Sequence, residues 1–445
     1  MKKKRSILEG VITSAVEKFL ETSGEGEIQV ISHFDTDGIT SAAIMIQSLK
    51  KLDKKFSLKI VKGLEKELIY ELPKNKTILF LDLASSMLDD ITKAGLKNVF
   101  IIDHHEITQD VPGNVTIVNQ MLHEKEKISA AGLTYLFCKE MDPENKEFAK
   151  IAVLGMIGDM MDESINELGD DILENGGVKK KNGLLIYPST RPLNRVLEYS
   201  SEPYIPGISG NSEGVIEMLR EVGIECTNGK YKSIIELTDE EMKKLVTSIM
   251  LRNPKKRNKE IVGDIFLIKF FNKLEDARQL SAMVNACSRL GDSSVALQFC
   301  MEIPSARKEA EAIHVKYKQH IISGLEFASK AEKIQGKRFL IINAKSRIKD
   351  TIVGTIASIL SNSSMYEEGT IITTMAYSDD KIKVSARNVG RNGRNVREVL
   401  SSVVDEIGGD VGGHEFAAGC VIDKEKEKKF IDTLKKNLEI ELVKI

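Results

Sequence analysis

The sequence predicts an α/β protein: a doubly wound parallel-sheet domain, an inserted subdomain, and a C-terminal α/β domain joined to the rest by a long helix. Three observations predict it. Short apolar runs of strand type alternate with helical-period segments in the first part of the chain, the signature of parallel βαβ units. From about Gly207 that alternation stops and Gly, Glu and Lys dominate. A polar segment of helical period, Ala306 to Lys333, then leads into a last α/β stretch.

Taken in order, Ile7, Leu8, Val11, Ile12, Ala15, Val16, Phe19 and Leu20 fall at helical spacing after the basic run Met1-Lys2-Lys3-Lys4-Arg5. This predicts a docking helix rather than a signal peptide, against its own chain or another copy. Ile28 to Ser32 is a strand that runs into His33-Phe34-Asp35-Thr36-Asp37-Gly38, with a helix from about Thr40 to Leu52. Leu58 to Val61, Thr77 to Leu81 and Val99 to Ile102 are further strands, the last two ending at Asp82 and Asp103. Ala130 to Lys139 and Phe148 to Ile157 are buried helices, and the second delivers Asp159. The inserted stretch contains a basic turn, Asn253 to Lys259, and a helix from Leu274 to Leu290 rejoins the first domain. The last domain has a strand at Phe339 to Asn343, a helix at Ile352 to Leu360, a hairpin of Thr370 to Ala376 with Lys381 to Ser385, and a Gly-rich turn from Gly408 to His414. The expected domains are therefore 1–206 with its return at 273–305, the insert 207–272, the connecting helix 306–333, and 334–445.

A chain of 445 residues suits about two to four domains. Its net charge of −2 announces no nucleic-acid binder in bulk, so any basic footprint must be local. Arg191 to Arg195 and the Arg-rich loop Arg387 to Asn395 are the candidates. Aromatics make up only 5%, which leaves little for base stacking beyond Phe34, Tyr377 and Phe416. The five scattered cysteines suit a reducing, cytoplasmic compartment, and no apolar run approaches the length of a membrane span.

In open parallel sheets, ligands sit at the carboxyl ends of strands. His33 to Gly38, Asp82 and Asp103-His104-His105 all follow strands, and Asp159 follows an apolar helix. An Asp at such a point is often only a helix cap. Three consecutive ionisable residues after Val99 to Ile102 are costly to bury without a partner, however, and a metal offsets that cost. Asp35 and Asp37, two apart on an extended chain, would face one cleft, and Gly38 would allow the tight turn into the helix. Together His33, Asp35, Asp37, Asp82, His104 and Asp159 are the candidate ligands of two divalent metals, with Asp82 or Asp159 as bridge. Such a pair suits hydrolysis of a phosphodiester.

The order of these motifs resembles that of the DHH-family phosphoesterases. Gly412-Gly413-His414-Glu415-Phe416-Ala417-Ala418-Gly419 resembles the signature of the DHH-associated DHHA1 domain, and Ser385-Ala386-Arg387 its Ser-x-Arg strand. Asn285-Ala286-Cys287-Ser288-Arg289 resembles the Asn-Ala-x-Gly-Arg motif of RecJ-type nucleases, with Ser288 in place of Gly and hence an altered local backbone. Outside 207–272 the chain is similar to archaeal RecJ-like, GINS-associated nucleases.

The resemblance implies two metals, Mn or alternatively Mg, on the ligands above. It implies that Asp103 supports or ligates them, and that His105 contacts the scissile phosphate or acts as acid. Asp37, Asp103 and His105 are thus the expected catalytic residues. Arg289, Ser385, Arg387, Gly412, Gly413 and His414 would hold substrate, and 207–272 would dock the GINS replication complex. The implied activity is a single-strand-specific exonuclease on DNA or RNA in replication or repair, 5′→3′ on DNA. The rivals are a 3′→5′ RNA or short-oligonucleotide phosphodiesterase and a GINS-bound helicase scaffold.

Overall fold

A computed structural model describes residues 7–123, 127–163, 165–200, 205–252, 261–363 and 365–439. The basic runs expected at Met1 to Arg5 and Asn253 to Lys259 lie outside the described residues. The chain divides into two units, Met1–His314 and Val315–Ile445.

In the first unit, β1 (Ile28–His33), β2 (Phe56–Val61), β3 (Thr77–Leu81), β4 (Asn98–Ile102) and β5 (Val115–Val118) form one sheet in the order β2-β1-β3-β4-β5. Every pairing is parallel. Alternate residues enter two cores. Val30, Leu79, Leu81, Phe100 and Ile102 face one, and Ile31, Ile78, Phe80, Val99 and Ile101 face the other. Burial on both faces is why these strands read as continuous apolar runs. Four of these strands are expected from the sequence; β5 is not, because no helix separates it from β4 and the βαβ signature is absent.

The larger core is covered by α1 (Ile7–Ser23), α2 (Thr36–Lys51), α5 (Ala130–Met141) and α6 (Ala149–Gly158); the smaller by α3 (Lys66–Glu71) and α4 (Leu88–Ala94). α1 docks in cis: Phe19 is fully buried, its ring 5.1 Å from that of Phe100 and 5.6 Å from that of Phe137, both edge-on.

After α7 (Glu167–Asn175) the chain forms a third core. Its antiparallel sheet is β6 (Lys179–Leu184), β7 (Val262–Phe270) and β8 (Lys273–Asp276), and its helices are α8 (Leu193–Glu198), α9 (Ser212–Glu221) and α10 (Asp239–Arg252). This core already includes Leu184, Ile186, Leu193 and Val196, so the insert begins well before the expected 207. The expected helix from Leu274 starts instead at Ala277 as α11 (Ala277–Leu290), because Lys273–Asp276 is a strand and Asp276 caps the helix by accepting from the Arg278 amide. α12 (Ser293–Cys300) follows, and the unit boundary falls within α13 (Pro304–Lys330).

The second unit is a six-stranded mixed sheet in the order β13-β14-β12-β11-β10-β9. Its strands are β9 (Ile334–Gly336), β10 (Phe339–Asn343), β11 (Ile371–Ser378), β12 (Lys381–Asn388), β13 (Asp410–His414) and β14 (Ala417–Asp423). α15 (Val396–Ile407) and α16 (Glu427–Glu439) bury one face, and α14 (Asp350–Ser361) packs on β11 and β12. The expected Gly-rich turn is a strand. Gly412 pairs with Gly419 and Gly413 with Ala418, and the turn is displaced to Glu415 and Phe416. Gly413 needs to be glycine: its φ is +112°, and a Cβ there would lie 2.4 Å from the Ala417 carbonyl oxygen. Among the described residues no helix is long and apolar enough to cross a membrane, and all five cysteines are free.

Candidate metal centre

His33 is the last residue of β1, Asp82 follows β3, and Asp103 follows β4. Parallel strands in register thus deliver three motifs to one sheet edge. The ladder continues just past the strands, with the Asp82 amide donating to the Ile102 carbonyl (2.9 Å) and the Asp103 amide to that of Val118 (3.2 Å). Asp82 then turns with φ 60°, a left-handed conformation that Asp and Asn tolerate better than other side chains. Its carboxylate is aimed back over the sheet edge.

Asp35 and Asp37 converge differently from the expectation. The chain is not extended there, because α2 begins at Thr36. Asp35 caps α2, its Oδ1 accepting from the Gly38 amide at 3.0 Å, while Oδ2 lies 3.1 Å from His33 Nδ1. One carboxylate therefore serves both as cap and in the cluster. Asp37 lies in the first turn of α2 and is almost fully buried. Its two oxygens accept from the Ala130 amide (2.6 Å) and the Ala131 amide (2.9 Å), so it sits at the N-terminus of α5. Favourable helix-end amides offset much of the cost of burying this charge. Gly155 on α6 makes room for it: a Cβ there would stand 2.7 Å from Asp37 Oδ1 and 2.5 Å from Thr40 Oγ1. That close crossing brings Asp159, at the C-cap of α6, into the cluster.

The six expected ligands fall into two separate trios. In each, one ligand atom per residue lies within 4.8 Å of the others: His33, Asp35 and Asp82, and Asp37, His104 and Asp159. A third trio, Asp82, His104 and His105, links them. His104 Nε2 lies 3.2 Å from Asp159 Oδ2, 3.4 Å from Asp82 Oδ1 and 3.8 Å from Asp37 Oδ2. Asp82 Oδ2 lies 3.2 Å from His33 Nδ1, whereas its Oδ1 is buried with no hydrogen-bond partner among the described residues. A buried carboxylate oxygen without a hydrogen-bond partner, 3.4 Å from one imidazole nitrogen and 3.9 Å from another, is the fit expected of a metal ligand. Carboxylates with two imidazoles form a donor set suited to Mn, Fe or Zn.

The electrostatics agree. Burial together with the Asp82 and Asp159 carboxylates holds Asp37 well above the usual carboxylate range. Burial and Asp35 likewise raise Asp82. Burial, Asp82 and Asp35 push Asp159 up to about 6 against the pull of His104. Burial opposes the charging of His104, but Asp82, Asp37 and Asp159 outweigh it and push the imidazole up to about 10. The carboxylates repel one another here, and cations would relieve that repulsion.

Asp103 belongs to none of the trios. It is fully buried and accepts from the Ser85 amide (3.1 Å) and the His104 amide (2.8 Å), and it holds His105 Nδ1 at 2.7 Å. It therefore orients His105, whose side chain is 56% exposed. The Asp103 hydrogen bond, against burial, raises the His105 pKa.

Several residues here carried no sequence signal. Buried Asn119 donates to the His105 carbonyl at 2.8 Å and to Ser85 Oγ at 3.2 Å, bracing the loop that presents His104 and His105. Ser288 did carry a signal, as a departure from the RecJ pattern. α11 runs through it, and its hydroxyl donates to the Phe34 carbonyl in the metal loop. Arg289 beside it holds Asn285 Oδ1 at 3.0 Å.

Ser385, Arg387, Gly412, Gly413 and His414 lie in the second unit. Arg387 pairs with Ala417, which pairs with His414; Ser385 pairs with Gly419, which pairs with Gly412. Directly paired residues share a face. Arg387 and His414 thus flank a floor of Ala and Gly. Arg387 is anchored by Ser358 Oγ at 3.0 Å and the Ala386 carbonyl at 2.9 Å, and His414 is exposed on the edge strand β13. Of the expected stacking residues, Phe34 is buried and Tyr377 lies under Lys424 Nζ at 4.3 Å.

The fold and the cluster define an α/β protein of two compact units with side chains able to hold metal, and the chain belongs to the DHH/DHHA1 family with a RecJ-like fold. The DHH family N-terminal domain matches residues 27–158, the DHH-CID domain 186–260 and the DHHA1 domain 336–439. The chain is 30% identical to the uncharacterized protein MJ0831 of Methanocaldococcus jannaschii, over 97% of both chains. An exonuclease RecJ bound to manganese superposes with a TM-score of 0.61 at 17% identity, over 97% of this chain and 95% of that one. Cdc45 from Entamoeba histolytica superposes at 0.66 and 11% identity, over 97% and 99%.

Proposed function

We propose that this protein is a metal-dependent exonuclease that hydrolyses phosphodiester bonds of single-stranded DNA or RNA, 5′→3′ on DNA. One observation carries the reading: six buried or half-buried ligands divide into two trios, which Asp82 and His104 link across 3.4 Å. His33, Asp35 and Asp82 would hold one divalent cation, and Asp37, His104 and Asp159 the other. Two such cations, Mn or Mg, supply an activated water and offset charge on the phosphate oxygens. His105, with Nδ1 tied to Asp103, keeps Nε2 for the substrate, to pin a phosphate oxygen or protonate the leaving oxygen. Arg387 can grip a phosphate through its planar fork, and His414 and the Gly412–Gly413 backbone complete that grip. The manganese-bound RecJ exonuclease with this fold supports the reading.

The test is incubation with Mn and end-labelled single-stranded DNA and RNA, beside His104→Ala. Cleavage in the parent protein and none in the variant is expected, and the ladder direction gives polarity. Absence of cleavage by a parent protein that binds Mn would remove the exonuclease reading.

A second role attaches to the insert, which has its own core and matches the DHH-CID domain. We infer that it is a docking module of GINS type. Co-purification with GINS that is lost on deleting the insert, with cleavage retained, tests it.

A further inference from the structure

We propose that the first unit carries a second phosphate-binding site, away from the metal cluster, which anchors the strand several nucleotides from the bond that is cut. The proposal rests on the nuclease reading. A cavity of about 200 Å³ is lined by Thr190, Arg191, Lys273, Leu274, Glu275 and Arg307. Three cations thus face one carboxylate, which disfavours a cationic ligand. The carboxylate is already engaged, with Glu275 Oε1 2.5 Å from Arg307 Nη2. Glu311 holds Arg307 Nε at 3.2 Å, and the guanidinium lies 5.3 Å from the Phe271 ring centre. Arg307 is therefore fixed on two of its nitrogens and one face.

Its third nitrogen, Nη1, is buried with no hydrogen-bond partner among the described residues, and so is Thr190 Oγ1. Two buried orphans in one cavity wall are costly unless something satisfies them. A tetrahedral oxyanion does so: one oxygen accepts from Nη1 and another from the Thr190 hydroxyl. Arg191 and Lys273, both exposed, then meet the remaining charge at the mouth. Of the Arg191-to-Arg195 segment only Arg191 lines the cavity; Arg195 pairs with Glu198 at 3.3 Å.

The position favours a strand phosphate over a small free anion. Glu275 adjoins Asp276, the N-cap of α11, and near the other end of that helix the Ser288 hydroxyl binds the Phe34 carbonyl of the metal loop. From Ala277 to Ser288 the helix rises about 17 Å at ~1.5 Å per residue. A single strand must therefore run on by more than one nucleotide from the metal loop to reach the cavity. A dinucleotide could fill the metal site without reaching the cavity.

The test uses Arg191→Ala/Lys273→Ala, which removes two exposed side chains and leaves the buried Arg307 and Thr190 in place, with Arg307→Lys as a second variant that keeps the charge but loses the fork. Binding to labelled oligo-dT is measured without metal across a salt series, and Mn-dependent cleavage is measured on long and very short strands. For the double variant, affinity for a strand of about 20 nucleotides should fall about tenfold, with the log K–log salt slope shallower by about 1.4. Cleavage of a dinucleotide should be unchanged, because it is too short to occupy the metal site and the cavity together. Arg307→Lys should weaken long-strand binding with little change in slope. Unchanged long-strand affinity in the double variant overturns the proposal, and so does an equal loss on both lengths. Should the parent protein neither bind nor cut any strand, the nuclease reading itself fails. Inorganic phosphate that then raises the melting temperature of the parent but not of the double variant would overturn the strand anchor in favour of a small-phosphate site.

Discussion

The two candidate chemical regions are built in opposite ways. In the first unit, the sheet edge buries its carboxylates and fixes them with backbone amides from other elements: Ala130 and Ala131 on Asp37, Ser85 on Asp103, Gly38 on Asp35. In the second unit, His414 and the Gly412–Gly413 strand are exposed, and half-buried Arg387 donates to Ser358 Oγ and the Ala386 and Ala418 carbonyls. Repelling carboxylates need an over-determined frame to stay close together. A phosphate grip has no such conflict, since its cationic and amide groups can wait in water. The first region should therefore trade stability for function, and the second should not.

The sharpest way to break that contrast is Asp82→Asn. Asn tolerates the φ of 60° at this position, so the backbone should survive. Cleavage should fall by about 1,000-fold or more, because a ligand shared between trios loses its charge. The metal-free protein should nevertheless melt at the same temperature or higher, since the change removes one charge from a mutually repelling set. Calorimetry with and without Mn checks both parts. A large loss of metal-free stability would mean that Asp82 is structural.

That conflict is also why the cluster was legible in the sequence. Asp103-His104-His105 after four apolar residues has few inexpensive explanations, and the parallel sheet gathers strand ends at one edge. The geometry behind it was not legible. Asp35 and Asp37 looked like neighbours on an extended chain, yet one caps α2 and the other caps α5, which is decided by a helix roughly 90 residues later in sequence. Ser85 and Asn119 are single polar residues in loops and have no periodicity to betray them. Gly408 to His414 read as a turn because Gly is depleted in strands, but ladder pairing with β14 overrode propensity. β6, β7 and β8 were missed for a related reason, since β7 alternates between two cores and so lacks a polar face.

An intermediate effect is expected from Arg387→Ala. It should lower kcat/KM about 10- to 100-fold, the worth of hydrogen bonds to a charged group. Mn affinity and melting temperature should stay near those of the parent protein. Equilibrium dialysis with Mn and single-turnover cleavage separate these readouts. A parallel loss of Mn binding would show that the two regions are not independent and would undo the contrast.

The smallest effect is expected from Ser288→Ala. The RecJ-type motif has Gly at this position, so the hydroxyl is an addition in this chain, and its partner is the Phe34 carbonyl between two metal ligands. Removing it should cost about 1 kcal/mol, the net worth of one buried hydrogen bond, or about 2 °C in a unit of this size. Ser288→Gly should cost about 1 kcal/mol more than Ser288→Ala, from helix propensity alone. If the hydroxyl only stabilises the helix contact, Mn affinity will be the same in all three proteins. If it pins the loop that presents His33 and Asp35, the Ala and Gly variants should lose Mn affinity equally, about tenfold or less, in the manner of residues that orient ligands. Equal loss in the two variants is the decisive pattern, because propensity separates them in stability while the missing hydroxyl unites them in metal binding.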